Sequence, residues 1–304
     1  MKKVNMAVIG VGAFGRHHAR HLSANPAIET LTIVDRDIER ARAVAGPLGA
    51  EAAASVSDLA LDAAVVTVPT EAHAAVAGPL LERGVHVFIE KPIADTGVAA
   101  DALIRAADAS GAVLQIGHIE RFSAAFEALA KNAGPVRHIA ARRHNPPRPV
   151  APTVDVVLDL MIHDIDLCLT LAGAPVTSVE AFAPDGTGHE AAIARLVFAN
   201  GAVADISASR LAPVVERTLD VHDNAGVLHA DLVAKAVVRT TGSDVTPIEL
   251  GPERDSLATE LAEFLNAIAT GSRPRVDGAA ASAALAVAIR IRDALSRQRL
   301  SLSA

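Results

Sequence analysis

With 304 residues, 51% of them hydrophobic, and a net charge of −7, the chain is long enough for two cores and too apolar for general disorder. Its charge has the wrong sign for nucleic acid or an anionic membrane surface, so neither is expected as a partner. The single cysteine, Cys168, excludes an internal disulfide and a multi-cysteine metal centre. The short apolar run in the opening MKKVNMAVIG suits neither a signal peptide nor a membrane span, so a cytoplasmic location is expected.

Residues 1–118 alternate between short β-branched apolar runs and alanine-rich amphipathic stretches. Strands are expected at Val4–Ile9, Thr30–Val34, Ala64–Thr67, His86–Ile89 and Val113–Ile116. Helices are expected at Ala13–Ala24, Ile38–Leu48, Glu71–Arg83 and Val98–Ser110. Continuously apolar strands separated by helices imply a parallel sheet covered on both faces. The fold class is therefore α/β, with an N-terminal doubly wound Rossmann domain over residues 1–118.

After Gly117 the rhythm changes. A helix over Ser123–Asn132 and a strand over Val136–Arg143 lead into a Pro-rich segment, and a helix over Val156–Leu171 ends at Gly173. Strand-like runs follow at Val176–Ala183, Ala191–Phe198, Ala202–Ser209, Arg217–His222 and Val227–Asp231, with Asn200-Gly201 and Asp223-Asn-Ala-Gly226 as turns. Residues 119–304 therefore read as an α+β domain with a mainly antiparallel sheet. Its closing helices, Leu257–Thr270 and Ala279–Arg297, are placed to pack back on the first domain.

Gly10, Gly12 and Gly15 form a GxGxxG pattern directly after the first expected strand and at the mouth of the first helix. That context makes a dinucleotide turn: a tight bend at Gly10, close approach of a pyrophosphate at Gly12, and tight helix–strand packing at Gly15. Ala13 and Phe14 complete it at the helix N-terminus, where N–H groups and the dipole favour an anion. Asp35 ends the second strand, where a carboxylate accepts from ribose hydroxyls and repels a 2′-phosphate. NAD is the expected cofactor, with NADP admissible because Arg36 is adjacent. Thr67, Pro69 and His73, after the third strand, are further candidate cofactor contacts.

Glu90-Lys91-Pro92 follows the fourth strand, at the strand end where ligands of open parallel sheets bind. Asp159 and His163 lie one helical turn apart among apolar neighbours, so the carboxylate can set the imidazole tautomer and raise its basicity. No metal-ligand set emerges; a hydrolase using this His/Asp cluster is the weakest alternative.

GxGxxG, then Glu-Lys-Pro, then Asp-x-x-x-His-x-x-Asp resembles the Gfo/Idh/MocA (glucose-fructose oxidoreductase/inositol dehydrogenase) family over essentially the whole chain. The resemblance implies that Lys91, Asp159 and His163 act on a substrate carbinol beside the nicotinamide, with Glu90 and Lys91 near the cofactor. It also implies a cis peptide before Pro92 and a homodimer or homotetramer formed through the C-terminal sheet. Gly117-His118-Ile-Glu-Arg121-Phe122, the Arg-rich Ala141-Arg142-Arg143 and the Val157–Asp166 stretch are similar to a subgroup, the bacterial UDP-N-acetylglucosamine 3-dehydrogenases of lipid A biosynthesis. His118, Arg121, Arg142, Arg143 and Arg148 are then candidate substrate contacts, with Arg142, Arg143 and Arg148 facing a sugar nucleotide's diphosphate. The Asp159-Leu-Met-Ile-His163-Asp164 run also resembles inositol dehydrogenases. An inositol or free-sugar dehydrogenase, or a catalytically silent NAD-sensing protein, are the other readings.

Overall fold

The computed structural model describes residues 3–147 and 154–302, with side chains up to Gln298. Two compact units form: one from the residues up to Ile119 together with Asp255–Ser282, the other from Glu120–Arg254 with the residues from Ala283 onward.

The first unit is built on a six-stranded parallel sheet of β1 (Val4–Ile9), β2 (Ile28–Val34), β3 (Glu51–Ala53), β4 (Ala63–Val66), β5 (His86–Glu90) and β6 (Leu114–Gly117), in the order β3-β2-β1-β4-β5-β6. Its helices are α1 (Ala13–Ser23), α2 (Ile38–Leu48), α3 (His73–Glu82), α4 (Gly97–Ser110) and the later α7 (Ser256–Thr270). Apolar strand residues such as Met6, Val8, Ile33 and Val65 are fully buried, which explains their unbroken hydrophobicity. Leu261, Phe264 and Leu265 of α7 join the same core cluster. The strand order reverses between β1 and β4, so the crevice at their carboxyl ends is where this architecture receives a ligand. β3 was not expected: three edge residues, Glu-Ala-Ala, carry no β-branched signal.

The second unit opens with α5 (Ala124–Asn132) and contains an eight-stranded mixed sheet of β7 (His138–His144), β8 (Val176–Phe182), β9 (Ala191–Phe198), β10 (Val203–Ser209), β11 (Glu216–Asp223), β12 (Gly226–Asp231), β13 (Ala236–Thr241) and β14 (Asp244–Pro247), in the order β14-β13-β12-β11-β7-β10-β9-β8. Only β7 and β10 (Val203–Ser209) pair in parallel. One face buries Ile139 and Ala141 of β7, Ala204, Ile206 and Ala208 of β10, and Leu219 and Val221 of β11 (Glu216–Asp223). Alanines on this face let α6 (Ile162–Ala172) pack on β7 and β10.

The expected helix over Val156–Leu171 proves composite. A π-helical turn, Val157–Met161, precedes α6, so Asp159 sits in a widened turn. The hairpin of β13 (Ala236–Thr241) and β14, turning through Gly242 at φ 60°, extends the sheet beyond the strands expected from sequence. Among the described residues no helix is long and apolar enough to cross a membrane.

Candidate active site

The glycine turn begins where β1 ends. Gly10 has φ 86°, a left-handed conformation that glycine adopts without strain. Gly15 lies against the Gly10 carbonyl oxygen, and a Cβ on it would also stand 2.6 Å from Thr67 Oγ1. Thr67 Oγ1 donates to that same carbonyl and lies 3.2 Å from Ile9 O, so Thr67 braces the turn from the end of β4. By contrast, a Cβ on Gly12 would meet nothing within 4 Å. Gly12 is the N-cap of α1 and offers no side-chain cap, and the first turn holds no acidic residue. Open space above a helix N-terminus with uncapped N–H groups is a cradle that fits a pyrophosphate. Ala13 and Phe14 form its rim, Phe14 being exposed.

Asp35 follows β2 and is buried, 6% exposed. Its carboxylate accepts from Val11 N and Asp37 N, both at 3.0 Å, and lies 3.4 Å from Arg40 Nη1. Burial pushes its carboxyl pKa up, but the Asp37 and Val11 N–H groups and the Arg40 guanidinium outweigh this and hold it below the usual value. Asp35 thus presents a fixed negative charge at the end of β2 while tying the glycine turn to that strand. Arg36 is exposed beside it.

At the other end, the Lys91–Pro92 peptide bond is cis. His73, at the start of α3, bridges Val68 O and Pro92 O, each 2.9 Å from a ring nitrogen. It therefore clamps the segment after β4, which includes Pro69, to the turn after β5. Burial lowers its pKa against the opposing pull of those carbonyls. Glu90, expected beside the cofactor, has one oxygen 2.7 Å from His18 Nε2 and the other accepting Lys91 N at 3.2 Å. His118, just after β6, is 1% exposed.

In the second unit, the π-turn brings the half-buried Asp159 against Arg210 at the end of β10. Arg210 is 1% exposed and donates to Val154 O (2.9 Å), Glu190 Oε2 (3.0 Å) and Asp159 Oδ2 (3.3 Å). No motif marked this arginine, yet it anchors Asp159. His163, half-buried, opens α6 one turn later.

The arginines expected to grip a diphosphate are mostly committed elsewhere. Arg143 is 2% exposed, with Nη2 2.8 Å from Asp164 Oδ1 and Nη1 2.7 Å from Glu120 Oε1. Burial alone would lower its pKa; the Asp164 and Glu120 carboxylates overcome that and raise it. Arg121, 9% exposed, donates from Nε to Asp166 Oδ2 at 2.7 Å. Both guanidiniums fasten the buried carboxylates of α6 and are not the substrate contacts that the sequence suggests. Arg142 is exposed on the opposite sheet face, 3.8 Å from Asp220, because successive strand residues alternate sides. Arg148 lies outside the described residues. Cys168 is fully buried, and burial pushes its thiol pKa well up.

Residues 4–118 match the model of the GFO/IDH/MocA oxidoreductase family with its NAD-binding Rossmann fold, and residues 105–229 match the GFO/IDH/MocA C-terminal domain. The chain belongs to the GFO/IDH/MocA family. It is an NAD-binding oxidoreductase, which removes the hydrolase alternative. It is 35% identical to the UDP-N-acetylglucosamine 3-dehydrogenase of Acidithiobacillus ferrooxidans over 97% of this chain and 98% of that one. The solved structure of that enzyme superposes with a TM-score of 0.90. The Inositol 2-dehydrogenase of Rhizobium meliloti is 27% identical over 99% of both chains. Within the family frame, the glycine turn, Asp35 and the Glu90-Lys91-Pro92 turn occupy the carboxyl ends of β1, β2 and β5.

Proposed function

We propose that this GFO/IDH/MocA member is a cytoplasmic, NAD-dependent dehydrogenase that oxidises the C3 hydroxyl of UDP-N-acetylglucosamine, feeding lipid A biosynthesis. The observation that carries this reading is the 35% identity to a UDP-N-acetylglucosamine 3-dehydrogenase along 97% of the chain. The fixed carboxylate of Asp35 supports NAD over NADP.

His163 takes the proton from the substrate hydroxyl, and Asp159, held by Arg210, fixes the imidazole for that role. Lys91 donates a hydrogen bond to the same oxygen and stabilises its alkoxide character as the proton leaves. When bound, the nicotinamide supplies the acceptor, at C4, for the hydride that the carbinol carbon releases. The carbinol thereby loses one proton and one hydride and becomes a ketone. His118 remains a candidate sugar-nucleotide contact, and the open face of the C-terminal sheet, which carries Arg142, is the candidate surface for a homodimer or homotetramer.

An inositol or free-sugar dehydrogenase is the second reading. It is favoured by the 27% identity to an Inositol 2-dehydrogenase and by the withdrawal of Arg121 and Arg143 into internal ion pairs. A silent NAD-sensing protein has no use for Lys91, Asp159 and His163 together. Lys91→Ala and His163→Ala test the roles assigned here. Each is expected to lower kcat by about 10²–10⁴-fold, with NADH still bound by His163→Ala. Near-normal turnover in both would refute the assignment.

A further inference from the structure

The buried His18 pairs with the half-buried Glu90 of the Glu90-Lys91-Pro92 turn, and the chemistry above makes no use of the pair. His18 projects from α1, the helix whose N-terminus forms the pyrophosphate cradle. It is 1% exposed, and its Nε2 lies 2.7 Å from Glu90 Oε1. The imidazole packs on Phe88 of β5 with ring centroids 5.3 Å apart, and Phe88 packs in turn on Phe264 of α7 at 5.9 Å. The second carboxylate oxygen accepts the Lys91 N–H at 3.2 Å. Gly117, at the end of β6, closes the remaining side: a Cβ there would stand 3.0 Å from Glu90 Oε2.

His18 Nδ1 is buried and has no hydrogen-bond partner among the described residues. A buried, unsatisfied ring nitrogen costs free energy, and a leucine would fill the same volume without that cost. The contribution that offsets it is the Nε2 hydrogen bond, made to a carboxylate one residue from the lysine assigned to the reacting oxygen.

We propose that His18 is a positioning residue for this oxidoreductase: by fixing the Glu90 carboxylate, it couples the cofactor-cradling helix to the turn that presents Lys91. The proposal rests on the reading that Lys91 works at the nicotinamide end of the site. The carboxylate is also an electrostatic counterweight. Burial pushes the Glu90 carboxyl pKa up, and the hydrogen bond and charge of His18, with the charge and backbone N–H of Lys91, hold it below the usual value. The titratable groups facing it are His18 from α1, Lys91 from its own turn and His73 from α3. Without His18, desolvation dominates, Glu90 takes up a proton at higher pH, and the fixed acceptor under Lys91 is lost.

The test needs no sugar, so it stays separate from the substrate assignment. NADH affinity is titrated from the cofactor's own fluorescence, at about pH 5.5 and about pH 8, on the full chain. Three variants are compared: His18→Phe, which keeps the ring packing; His18→Gln, whose amide can still donate to Glu90; and Glu90→Gln. His18→Phe is expected to bind NADH about tenfold more weakly at the acidic pH, with a smaller loss at the basic pH. His18→Gln should return to within about twofold of the wild type. Glu90→Gln, whose amide does not titrate, should be weakened about equally at both pH values. Wild-type NADH affinity in Glu90→Gln, or indistinguishable behaviour of His18→Phe and His18→Gln, would overturn the proposal. Glu90→Gln keeps it falsifiable if His18→Phe does not fold.

Discussion

Alanine at Gly12 and at Gly15 separates two jobs that the glycine turn performs together. At Gly12 a methyl group meets nothing within 4 Å, and the backbone, at φ −68° and ψ −154°, is extended and open to any residue. The cost to folding is that of replacing glycine by alanine at an N-cap, below about 1 kcal/mol, or about 2–4 °C in Tm. The same methyl occupies the space through which a pyrophosphate reaches the α1 N–H groups. NADH affinity should fall at least about tenfold, equivalent to about 1.4 kcal/mol. At Gly15 the methyl overlaps the Gly10 carbonyl oxygen and stands 2.6 Å from Thr67 Oγ1. A backbone atom braced from β4 does not yield as a side chain does. Overpacking of about 1–3 kcal/mol therefore exceeds the roughly 1 kcal/mol that alanine gains over glycine in a helix. Thermal unfolding and NADH fluorescence titration read both variants. Gly12→Ala should melt near the wild type and bind poorly, and Gly15→Ala should melt several degrees lower. Wild-type NADH affinity in Gly12→Ala would refute the placement of the pyrophosphate over this glycine.

Arg143→Met leaves Asp164 buried without its counter-ion and should destabilise the fold by about 3–5 kcal/mol, while the exposed Arg142→Ala should stay within about 0.5 kcal/mol of the wild type by urea unfolding. Arg210→Met removes the cation shared by Asp159 and Glu190. Both carboxylates keep some solvent, so the expected loss is smaller, about 1–3 kcal/mol, with kcat falling while NADH affinity holds. Asp223 is held at a pKa of about 2, first by its hydrogen bonds to Arg239 and then by the Gly134 and Ala225 N–H groups, against burial that raises it. A depressed carboxyl stabilises the fold above its unfolded pKa of about 4 and loses that contribution as pH falls through about 2. The contribution is about 2 kcal/mol at neutral pH, and Arg239→Met should remove most of it and flatten the urea midpoint between about pH 4 and pH 2.

The cofactor half of the molecule was legible because its signals are local. A glycine pattern between a strand and a helix, an acid at the end of β2, and Lys-Pro after β5 each lie within a few residues of the backbone feature that gives them meaning. The parts that escaped depend on distant partners or on geometry without a residue signature. Nothing in Val157–Met161 marks a π-turn, and Arg210, alone in Ser-Ala-Ser-Arg-Leu, becomes Asp159's partner only when β10 reaches it. His18 stood among His17 and His21 with no pattern to separate them. Arg142 and Arg143 show what strand periodicity alone decides: adjacent residues in a strand over Val136–Arg143 face opposite sides, so they cannot grip one diphosphate together. The β13–β14 hairpin also left a trace, since Thr-Thr-Gly-Ser-Asp is a turn between β-branched runs. Its exposure broke up the apolar run by which the other strands were found.

The most direct measurement is the reduction of NAD by the purified protein, followed by nicotinamide absorbance, with UDP-N-acetylglucosamine, myo-inositol and glucose offered separately. The account predicts turnover with the nucleotide sugar and little with the other two. Turnover with inositol or glucose and none with UDP-N-acetylglucosamine would contradict the substrate assignment and transfer the chemistry of Lys91, Asp159 and His163 to the second reading.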